Sequence, residues 1–324
     1  MTQQQSAKQA SGHGNQLRRY SYLGPAGTFT EAALAQAPQA QGQEWVPVAN
    51  INQALENVVS GHSDAAMVAL ENSIDGGVTA VQDALASLAG VQILGEYLVP
   101  VNFVVAQRPG SDFARATTVA AHPVAYAQCR KWLETHLPQH RFVPASSNSQ
   151  AALDLLNKPD SIDVALTAPT ALRHYPVEVY ARNVASDDSA ITRFALVGRR
   201  QPVGQPSGHD RTSLIVELAQ DRAGALLELL EQFAARGVNL TQIASRPLGK
   251  KLGQYRFHID AEGHIREERV RQAIMGLQMR GNNVLFLGSY ARADKIAPTT
   301  VSHQSDAAFR AANAWIDELI AGKN

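Results

Sequence analysis

A hydroxyl, a guanidinium and an aromatic ring stand side by side at Thr192, Arg193 and Phe194, within the stretch DDSAITRFALVGR of residues 187–199. The apolar residues that follow predict a buried strand, so the triplet lies at the mouth of that strand. A polar group is cheap to leave in water and costly to bury without a partner. The triplet is therefore either an ordinary loop end or a surface that faces a ligand.

Three further polar loops follow apolar runs and are candidates for the same ligand site. A Gly-Pro-Ala-Gly turn precedes Thr28, and amide hydrogens at a helix start favour an anion. The run MVAL leads to Asn72 and Ser73 at a strand end, where α/β folds bind ligands. In VPASSNSQAAL, Ser147 and Asn148 supply more polar groups than one helix cap needs. Each loop also suits a plain turn or cap, so single loops do not decide the function.

The composition removes several classes of site and partner. Lys plus Arg (29) equals Asp plus Glu (29), which gives no reason to expect a nucleic acid or an anionic membrane as partner. The single cysteine, Cys129, lies on an apolar helical face and is interpreted as a buried, inert thiol. The 10 histidines lack metal-ligand spacing and no GxGxxG follows a strand, so neither a metal nor a cofactor is expected.

The elements that must position these residues alternate between short apolar runs and helical periods from Tyr20 onwards. Such alternation is typical of a mainly parallel sheet with helices on its faces. The same order starts again after Pro100, so we predict two α/β lobes, with the chain crossing near residue 100 and returning near residue 182. The strand FALVGRR then pairs back into the first lobe, which puts the triplet in the cleft between the lobes.

A second region begins after the linker RQPVGQPSGHD. Its order of strand, helix, strand, strand, helix and strand is that of the ferredoxin-like fold. The face of its first helix that covers the sheet is predicted to contain Leu226, Leu229, Leu230 and Phe233. Near the C-terminus, a helical stripe comprises Phe309, Ala312, Trp315, Ile316 and Leu319. This stripe predicts packing and no other role.

Six motifs, in this order, resemble those of prephenate dehydratases that carry a C-terminal ACT domain. They are GPAGTF (24–29), ENSIDGGV (71–78), HPVAYAQC (122–129), TRF (192–194), GALLELL (224–230) and SRP (245–247). The resemblance spans about residues 20–290. It implies a two-lobed α/β catalytic region like a periplasmic binding protein, followed by a ferredoxin-like βαββαβ (ACT) domain.

The resemblance also implies a reaction and the residues that perform it. The family converts prephenate to phenylpyruvate, carbon dioxide and water in phenylalanine biosynthesis. The Thr of Thr-Arg-Phe is regarded as essential, so Thr192 is implied as the residue that helps the ring hydroxyl to leave. The expected substrate-binding residues are Thr28, Asn72, Ser73, Ser147, Asn148, Arg193 and Phe194. Among them, Arg193 is expected to pair bidentately with a substrate carboxylate.

For the ACT domain, the resemblance implies a phenylalanine site shared by two chains that pair side by side. The expected residues are Gly224, Ala225, Leu226, Asn239, Leu240, Ser245, Arg246 and Pro247. Feedback by phenylalanine and a homodimer or dimer of dimers follow from this arrangement. Two positions depart from the family pattern: Ala190 stands where Asn is common, and Ala244 stands where Glu often precedes Ser-Arg-Pro.

The expected division is a disordered leader at 1–19, a catalytic region at 20–200, a linker at 201–210, an ACT domain at 211–290 and a tail at 291–324. The leader lacks the apolar centre of a signal peptide, so a cytoplasmic location is expected. Two alternatives stay open. One is arogenate dehydratase, which performs the same elimination on the amino acid analogue. The other is a non-catalytic amino acid sensor, which has no need of Thr192.

Overall fold

The computed structural model describes residues 17–74, 76–187, 189–249 and 254–323. Most of the predicted leader, residues 1–16, lies outside the described residues. The described chain forms three sheets, and two of them belong to the region before residue 200. No helix among the described residues is long and apolar enough to cross a membrane.

The first lobe is built on a sheet with strand order β2-β1-β3-β11-β5. Its elements are β1 (Arg19–Leu23), α1 (Phe29–Leu34), β2 (Glu44–Val48), α2 (Ile51–Ser60), β3 (Ala65–Asn72), β4 (Gly76–Gly77), α3 (Thr79–Ser87), β5 (Val91–Pro100) and, much later in the chain, β11 (Ile191–Arg199). β1 is parallel to β2 and β3, whereas β11 is antiparallel to β3 and β5. The returning strand therefore lies inside the first lobe, as the apolar run after the triplet predicts.

The second lobe has a sheet of order β10-β6-β9-β7-β8. Its elements are β6 (Val104–Gln107), β7 (Thr118–Ala121), α4 (Pro123–His136), β8 (Arg141–Pro144), α5 (Asn148–Asn157), β9 (Val164–Thr167) and β10 (Glu178–Arg182). β7 is parallel to both β8 and β9, so the ends of these three strands meet at one edge. Cys129 is fully buried in the core of this lobe, where burial raises the pKa of its thiol to about 12.

The third sheet has the order β13-β14-β12-β15. Its elements are β12 (Asp210–Glu217), α6 (Ala225–Ala234), β13 (Leu240–Pro247), β14 (Tyr255–Glu262), α7 (Glu268–Met279) and β15 (Asn283–Ala291), and a last helix, α8 (Asp306–Ile320), follows. This is the predicted βαββαβ order. Leu229 and Phe233 of α6 pack on the sheet with α7, but Leu226 is 40% exposed and lies outside that core, which corrects its predicted packing.

The other face of the third sheet packs directly on the first lobe. Ile215 and Leu287 share one apolar core with Ile93 and Val197 of the first sheet. A side chain on Gly288 would bring its Cβ to 2.5 Å from the carbonyl oxygen of Ile93, so only glycine permits this approach. The two domains are therefore held together by a continuous core.

Candidate active site

Thr192 lies where β11 begins beside the end of β3. Its backbone is in register with Asn72 of β3 and Val99 of β5. Asn72 Nδ2 donates a hydrogen bond to Thr192 Oγ1 at 2.9 Å, and Asn72 Oδ1 accepts one from the amide of Ile74 at 2.9 Å. The second bond orients the amide for the first. Because Thr192 Oγ1 accepts from Asn72, its own hydrogen is directed to another acceptor, which is the arrangement a hydrogen-bond donor needs.

Ser73 ties the loop after β3 to the start of β11. Its hydroxyl accepts a hydrogen bond from the amide of Ile191 at 3.0 Å, and its own amide donates to the carbonyl oxygen of Ile191 at 2.9 Å. These bonds fix the backbone beside Thr192. The structure therefore brings Asn72, Ser73 and Thr192 together from positions 120 residues apart along the chain.

Thr28 caps the short helix α1. Its hydroxyl donates to the carbonyl oxygen of Leu23 at 3.1 Å and accepts from the amide of Glu31 at 3.3 Å. Both bonds shape the loop between β1 and α1, and the side chain is buried. The hydroxyl of Thr28 thus holds the loop that forms one wall of the cleft.

The second lobe presents buried polar atoms at the edge where its parallel strands end. Ser147 caps α5 by accepting a hydrogen bond from the amide of Gln150 at 3.0 Å. Four side chains of this lobe have buried polar atoms without a hydrogen-bond partner among the described residues, namely Gln128, Asn148, Ser149 and Thr167. Buried polar groups are normally paired, so unpaired ones at a strand edge suit a polar ligand.

The polar run VPASSNSQAAL predicts Asn148 and Ser149 as part of a second ligand wall, but the sequence does not single out Gln128 or Thr167. A signal was present for Gln128, which lies within the HPVAYAQC motif. Thr167 ends an otherwise apolar strand, and only the parallel pairing of β7 with β9 places it at the same edge.

Direct contacts join the two lobes around this cleft. Thr170 Oγ1 donates to the carbonyl oxygen of Gly27 at 2.6 Å, and the Tyr175 hydroxyl donates to that of Ala26 at 3.0 Å. His174 Nε2 lies 2.7 Å from Glu31 Oε1. Because these residues follow β9 and contact the loop after β1, the strand ends of the two sheets face each other. The polar residues named above lie at strand ends on the two sides of this contact, and the region between them is the cleft that we assign as the candidate active site.

Arg193 does not face this cleft, which corrects the expectation that it binds a substrate carboxylate. It is 4% exposed, and its guanidinium donates to Glu71 (3.3 Å), Glu96 (3.3 Å), Gln242 (2.8 Å) and Asp260 (2.6 Å). Successive side chains of a strand point to opposite faces, so a cleft position for Thr192 directs Arg193 towards the third sheet.

Arg193 is the centre of a group of charges, buried except for the partly exposed Glu71, which we call the interdomain cluster: Glu71, Glu96, Arg193, Arg211 and Asp260. Arg211 Nη1 lies 2.6 Å from Glu96 Oε2. Burial opposes the charge of Arg193, but Asp260, Glu71 and Glu96 hold its pKa well above the usual value. Burial likewise opposes the charge of Asp260, but Arg193 and Arg211 hold its pKa below the usual value. The guanidinium of Arg193 is therefore committed to protein acceptors.

Phe194 also lies outside the cleft, which corrects its expected role in substrate binding. The ring is 2% exposed and packs in an apolar core with Tyr22, Leu34 and Met67 of the first lobe. Its contribution is therefore to anchor β11, and so the position of Thr192, in the sheet.

The ACT region contains a separate cavity of about 520 Å³ at the start of α6. The predicted residues Gly224, Ala225 and Leu226 line it, as do Tyr255 and Phe257. The lining does not include the predicted residues of β13, a strand at the edge of the sheet. One chain therefore supplies only the helix-start half of the expected phenylalanine site.

The expected residues on and beside β13 differ in what they contact. Arg246 faces the first lobe, where it lies 2.6 Å from Asp83, and its role in binding phenylalanine stays a prediction. Leu240 packs partly against the ACT core, and the carbonyl oxygen of Asn239 accepts a hydrogen bond from Glu262. Ser245 and Pro247 are exposed at the sheet edge. Ser245 and Pro247 are therefore open to a second chain.

A two-lobed α/β enzyme with a polar cleft and a docked ferredoxin-like domain is the class of protein that this fold and site define. A family model described as prephenate dehydratase matches residues 20–202, and one described as ACT domain matches residues 212–277. Among the described residues, no group of three or more His, Cys, Asp or Glu side chains is arranged to hold a metal ion.

Similar proteins cover nearly the whole chain. A prephenate dehydratase from Amycolatopsis methanolica is 44% identical over 95% of this chain and 99% of its own length. A crystal structure of prephenate dehydratase from Arthrobacter aurescens in complex with L-Phe is 45% identical, with a TM-score of 0.89 over 94% of this chain and 99% of that one. A structure described as a novel type of quorum quenching acylase is 28% identical, with a TM-score of 0.76 over 85% of this chain and 98% of that one. The chain belongs to the prephenate dehydratase family.

Proposed function

We propose that this chain performs the decarboxylative dehydration of prephenate through Thr192. The observation that carries the proposal is the hydrogen bond from Asn72 to Thr192, which directs the threonine hydrogen towards a ligand. The fold alone does not assign this chemistry, since one fold supports more than one activity. The assignment rests on the site together with the family.

The reaction requires help for a departing hydroxyl group. The bond between the ring and its carboxylate breaks to release carbon dioxide, and its electron pair moves through the ring, which becomes aromatic as the carbon–oxygen bond breaks. The hydroxide takes up a proton and leaves as water. Thr192 Oγ donates a hydrogen bond to that oxygen, a contribution of about 10² to 10⁴ in rate, and the proton that completes the water molecule comes from solvent. Closure of the lobes around the substrate would strengthen this hydrogen bond by removing bulk water from around the ring.

In this proposal, uncharged side chains donate hydrogen bonds to the substrate carboxylates, because the Arg193 guanidinium already binds acceptors in the interdomain cluster. Gln128, Ser149 and Thr167 provide amide and hydroxyl hydrogens from the second lobe. Ser147 and Asn148 complete this wall, and Ser73 and Thr28 hold the opposite one. Such recognition gives orientation without a buried cation. It is also compatible with arogenate, so the two substrates must be compared directly.

Turnover of prephenate by the Thr192→Ala variant tests the catalytic assignment. We expect kcat to fall by about 10² or more, with the unfolding curve unchanged, because the variant removes the hydroxyl and little packing. Thr192→Ser should retain more activity than Thr192→Ala. Thr135→Ala, on the exposed face of α4, is the matched control. Near-normal turnover in Thr192→Ala would remove Thr192 from the mechanism, and a wild type inactive on both prephenate and arogenate would favour the sensor.

We further propose that phenylalanine inhibits the enzyme by binding at the ACT cavity, between two chains. The apolar walls suit a phenyl ring, and a second chain would add Asn239, Leu240, Ser245 and Pro247 from its own β13. This arrangement makes the working enzyme a homodimer or a dimer of dimers. The domain division into 20–200, 201–210, 211–290 and 291–324 is part of the same proposal and is supported by the two family matches.

Two variants test the phenylalanine site in the full chain. Gly224→Val places a branched side chain at the cavity mouth, but Gly224 has φ +84°, so the change also strains the backbone. Ala225→Leu narrows the same cavity without that strain. Both should abolish inhibition by phenylalanine and keep basal turnover. Unchanged inhibition in Ala225→Leu would place the regulatory site elsewhere.

A further inference from the structure

Helix α8 exposes an apolar surface. Its start is attached to the ACT domain, since Asp306 Oδ1 accepts a hydrogen bond from the amide of Glu268 at 2.9 Å. Every residue from Ala311 to Ile320 is exposed, including Trp315 at 57%. An isolated helix of about 15 residues is marginal in water, so the second half of α8 requires a packing partner.

The apolar face of α8 is arranged for pairing with itself. It comprises Ala308, Phe309, Ala312, Trp315, Ile316 and Leu319, whereas Arg310, Asp317 and Glu318 fall outside it. Apart from the half-buried Phe309, small residues occupy its first half and large residues its second. Antiparallel pairing of two α8 helices sets Trp315 of one over Ala312 of the other, and Leu319 over Ala308. Parallel pairing would oppose large residues to large ones.

We propose that α8 is a dimerisation arm that packs antiparallel on α8 of a second copy of this chain. Residues 1–16 contain one large apolar residue, Met1, so their composition offers no apolar counterpart to this surface. The polar face of α8 is more acidic than basic, unlike the basic face of a helix that lies on an anionic membrane. A two-fold pairing buries the same patch on both copies and closes the assembly.

Sedimentation velocity of the full chain tests the arm. Trp315→Glu and Leu319→Glu should weaken self-association by about tenfold or more, because each puts a charge in the buried face. Glu318→Lys, on the polar face, should leave it unchanged. A membrane surface is the competing partner. Binding of the wild type to phosphatidylglycerol vesicles that Trp315→Glu abolishes, with the mass in solution unchanged, would overturn the proposal.

Cross-linking tests the antiparallel arrangement of the two α8 helices, even where a second interface also holds the two chains together. Ala312→Cys lies on the proposed seam and should cross-link to its equivalent through a short bismaleimide. Ala314→Cys lies on the opposite face and should not. Cys129 is buried, so the introduced thiol is the reactive one. Failure of Ala312→Cys to cross-link, or equal reaction by Ala314→Cys, would contradict antiparallel pairing.

The interdomain cluster carries a second, independent inference, which rests on the proposed function. Arg193 follows Thr192 on β11, and its guanidinium donates a hydrogen bond to Gln242 of β13 at 2.8 Å. The same strand carries Ser245 and Pro247, which belong to the proposed phenylalanine site. A shift of β13 on ligand binding therefore acts on Arg193, and through the backbone on the hydrogen bond between Asn72 and Thr192.

We infer that Arg193 is a positioning residue that couples the ACT domain to Thr192. The ion pairs of the interdomain cluster hold the Arg193 side chain in place. A displacement of β13 therefore moves Arg193 together with β11. Phenylalanine shifts the enzyme only by the difference in its affinity for the two arrangements of this contact. We therefore test the coupling by substituting Gln242, because substituting Arg193 itself would leave buried carboxylates without a counter-charge.

Gln242→Leu in the full chain tests this coupling. We expect unchanged basal kcat and unchanged phenylalanine binding by calorimetry without substrate, but inhibition weakened by about threefold or more. Gln278→Leu, exposed on α7, is the matched control. Identical inhibition in Gln242→Leu and wild type would overturn the coupling alone. Full activity of Thr192→Ala, or a wild type that phenylalanine does not inhibit, would instead contradict the proposed function.

Discussion

The first lobe meets its two neighbours through faces of different construction. Towards the ACT domain, it shares a continuous apolar core and the buried interdomain cluster. Towards the second lobe, the side-chain hydrogen bonds come from Thr170, His174 and Tyr175, and His174 is about one-third exposed. The first face is built as a fixed joint, whereas the second is held by fewer and more exposed contacts. Under the proposed function, the second face would open to admit substrate and the first would transmit regulation.

The two faces differ in what a single substitution costs. A buried ion pair that loses one partner leaves an uncompensated charge, whereas an exposed pair exchanges its partner for water. A change in the joint should therefore appear in stability. A change at the lobe contact should appear in substrate affinity. Three predictions test this contrast.

The largest effect is expected for Glu96→Gln in the joint. Glu96 is buried and accepts from Arg193, Arg211 and the amide of Ala293. Loss of its charge leaves two arginines with fewer counter-charges, so the free energy of unfolding in urea should fall by about 3 to 5 kcal/mol. Glu44→Gln, in the exposed pair with Arg19, is the control and should cost less than about 1 kcal/mol. Equal losses in the free energy of unfolding for Glu96→Gln and Glu44→Gln would mean that the joint is no more rigid than the exposed surface.

A smaller effect is expected from protonation of His258, which lies on the joint face of β14. Burial, with Arg256 and Arg246 nearby, lowers its pKa from 6.5 to about 4, although Asp83 and Asp260 oppose this shift. The unfolded chain therefore binds the proton first as the pH falls. The free energy of unfolding should decrease from about pH 6.5 to about pH 4, by at most about 3 kcal/mol, and this contribution is fully present above pH 6.5.

His258→Gln provides the comparison for this pH dependence. Other groups titrate in both proteins, so the difference between their unfolding curves isolates His258. We expect the variant to lose less stability than the wild type between those pH values. Parallel curves would show that His258 is not buried in the joint.

The smallest effect is expected for His174→Ala at the lobe contact. The variant removes the bond to Glu31 and loosens closure, so KM should rise by about fivefold with kcat within about twofold. The free energy of unfolding should change little, since His174 is partly exposed. His62→Ala, exposed in the first lobe, is the control. A stability loss as large as that of Glu96→Gln would erase the contrast between the two faces.

Much of the fold was predictable because local patterns and global topology agree. The alternation from Tyr20 onwards predicts the two lobes, and the apolar run after Phe194 predicts a strand that returns to the first lobe. The paired helices and strands after residue 210 predict the ferredoxin-like order. Cys129 was predicted to be buried because its neighbours at helical spacing are apolar, and it is fully buried.

The residues of the candidate site differ in how far the sequence predicts their positions. The sequence singles out Asn72, Ser73 and Thr192 because they stand at the ends of apolar runs and within motifs of the family, and the structure places the three side by side. The motif as a whole predicts one ligand-facing cluster, whereas the period-two alternation of a strand separates Thr192 from Arg193.

Sequence alone therefore determined the elements, their order, the family and the hydroxyl that we assign to catalysis. Only the tertiary structure determines which residues each face of a helix or strand packs against. Arg193 is a joint residue because the ACT sheet docks on that side of β11, and Phe194 is a core residue because α1 covers the other side. Burial and charge pairing depend on contacts between segments distant in the chain, such as Arg193 with Asp260, which spacing along one segment does not encode.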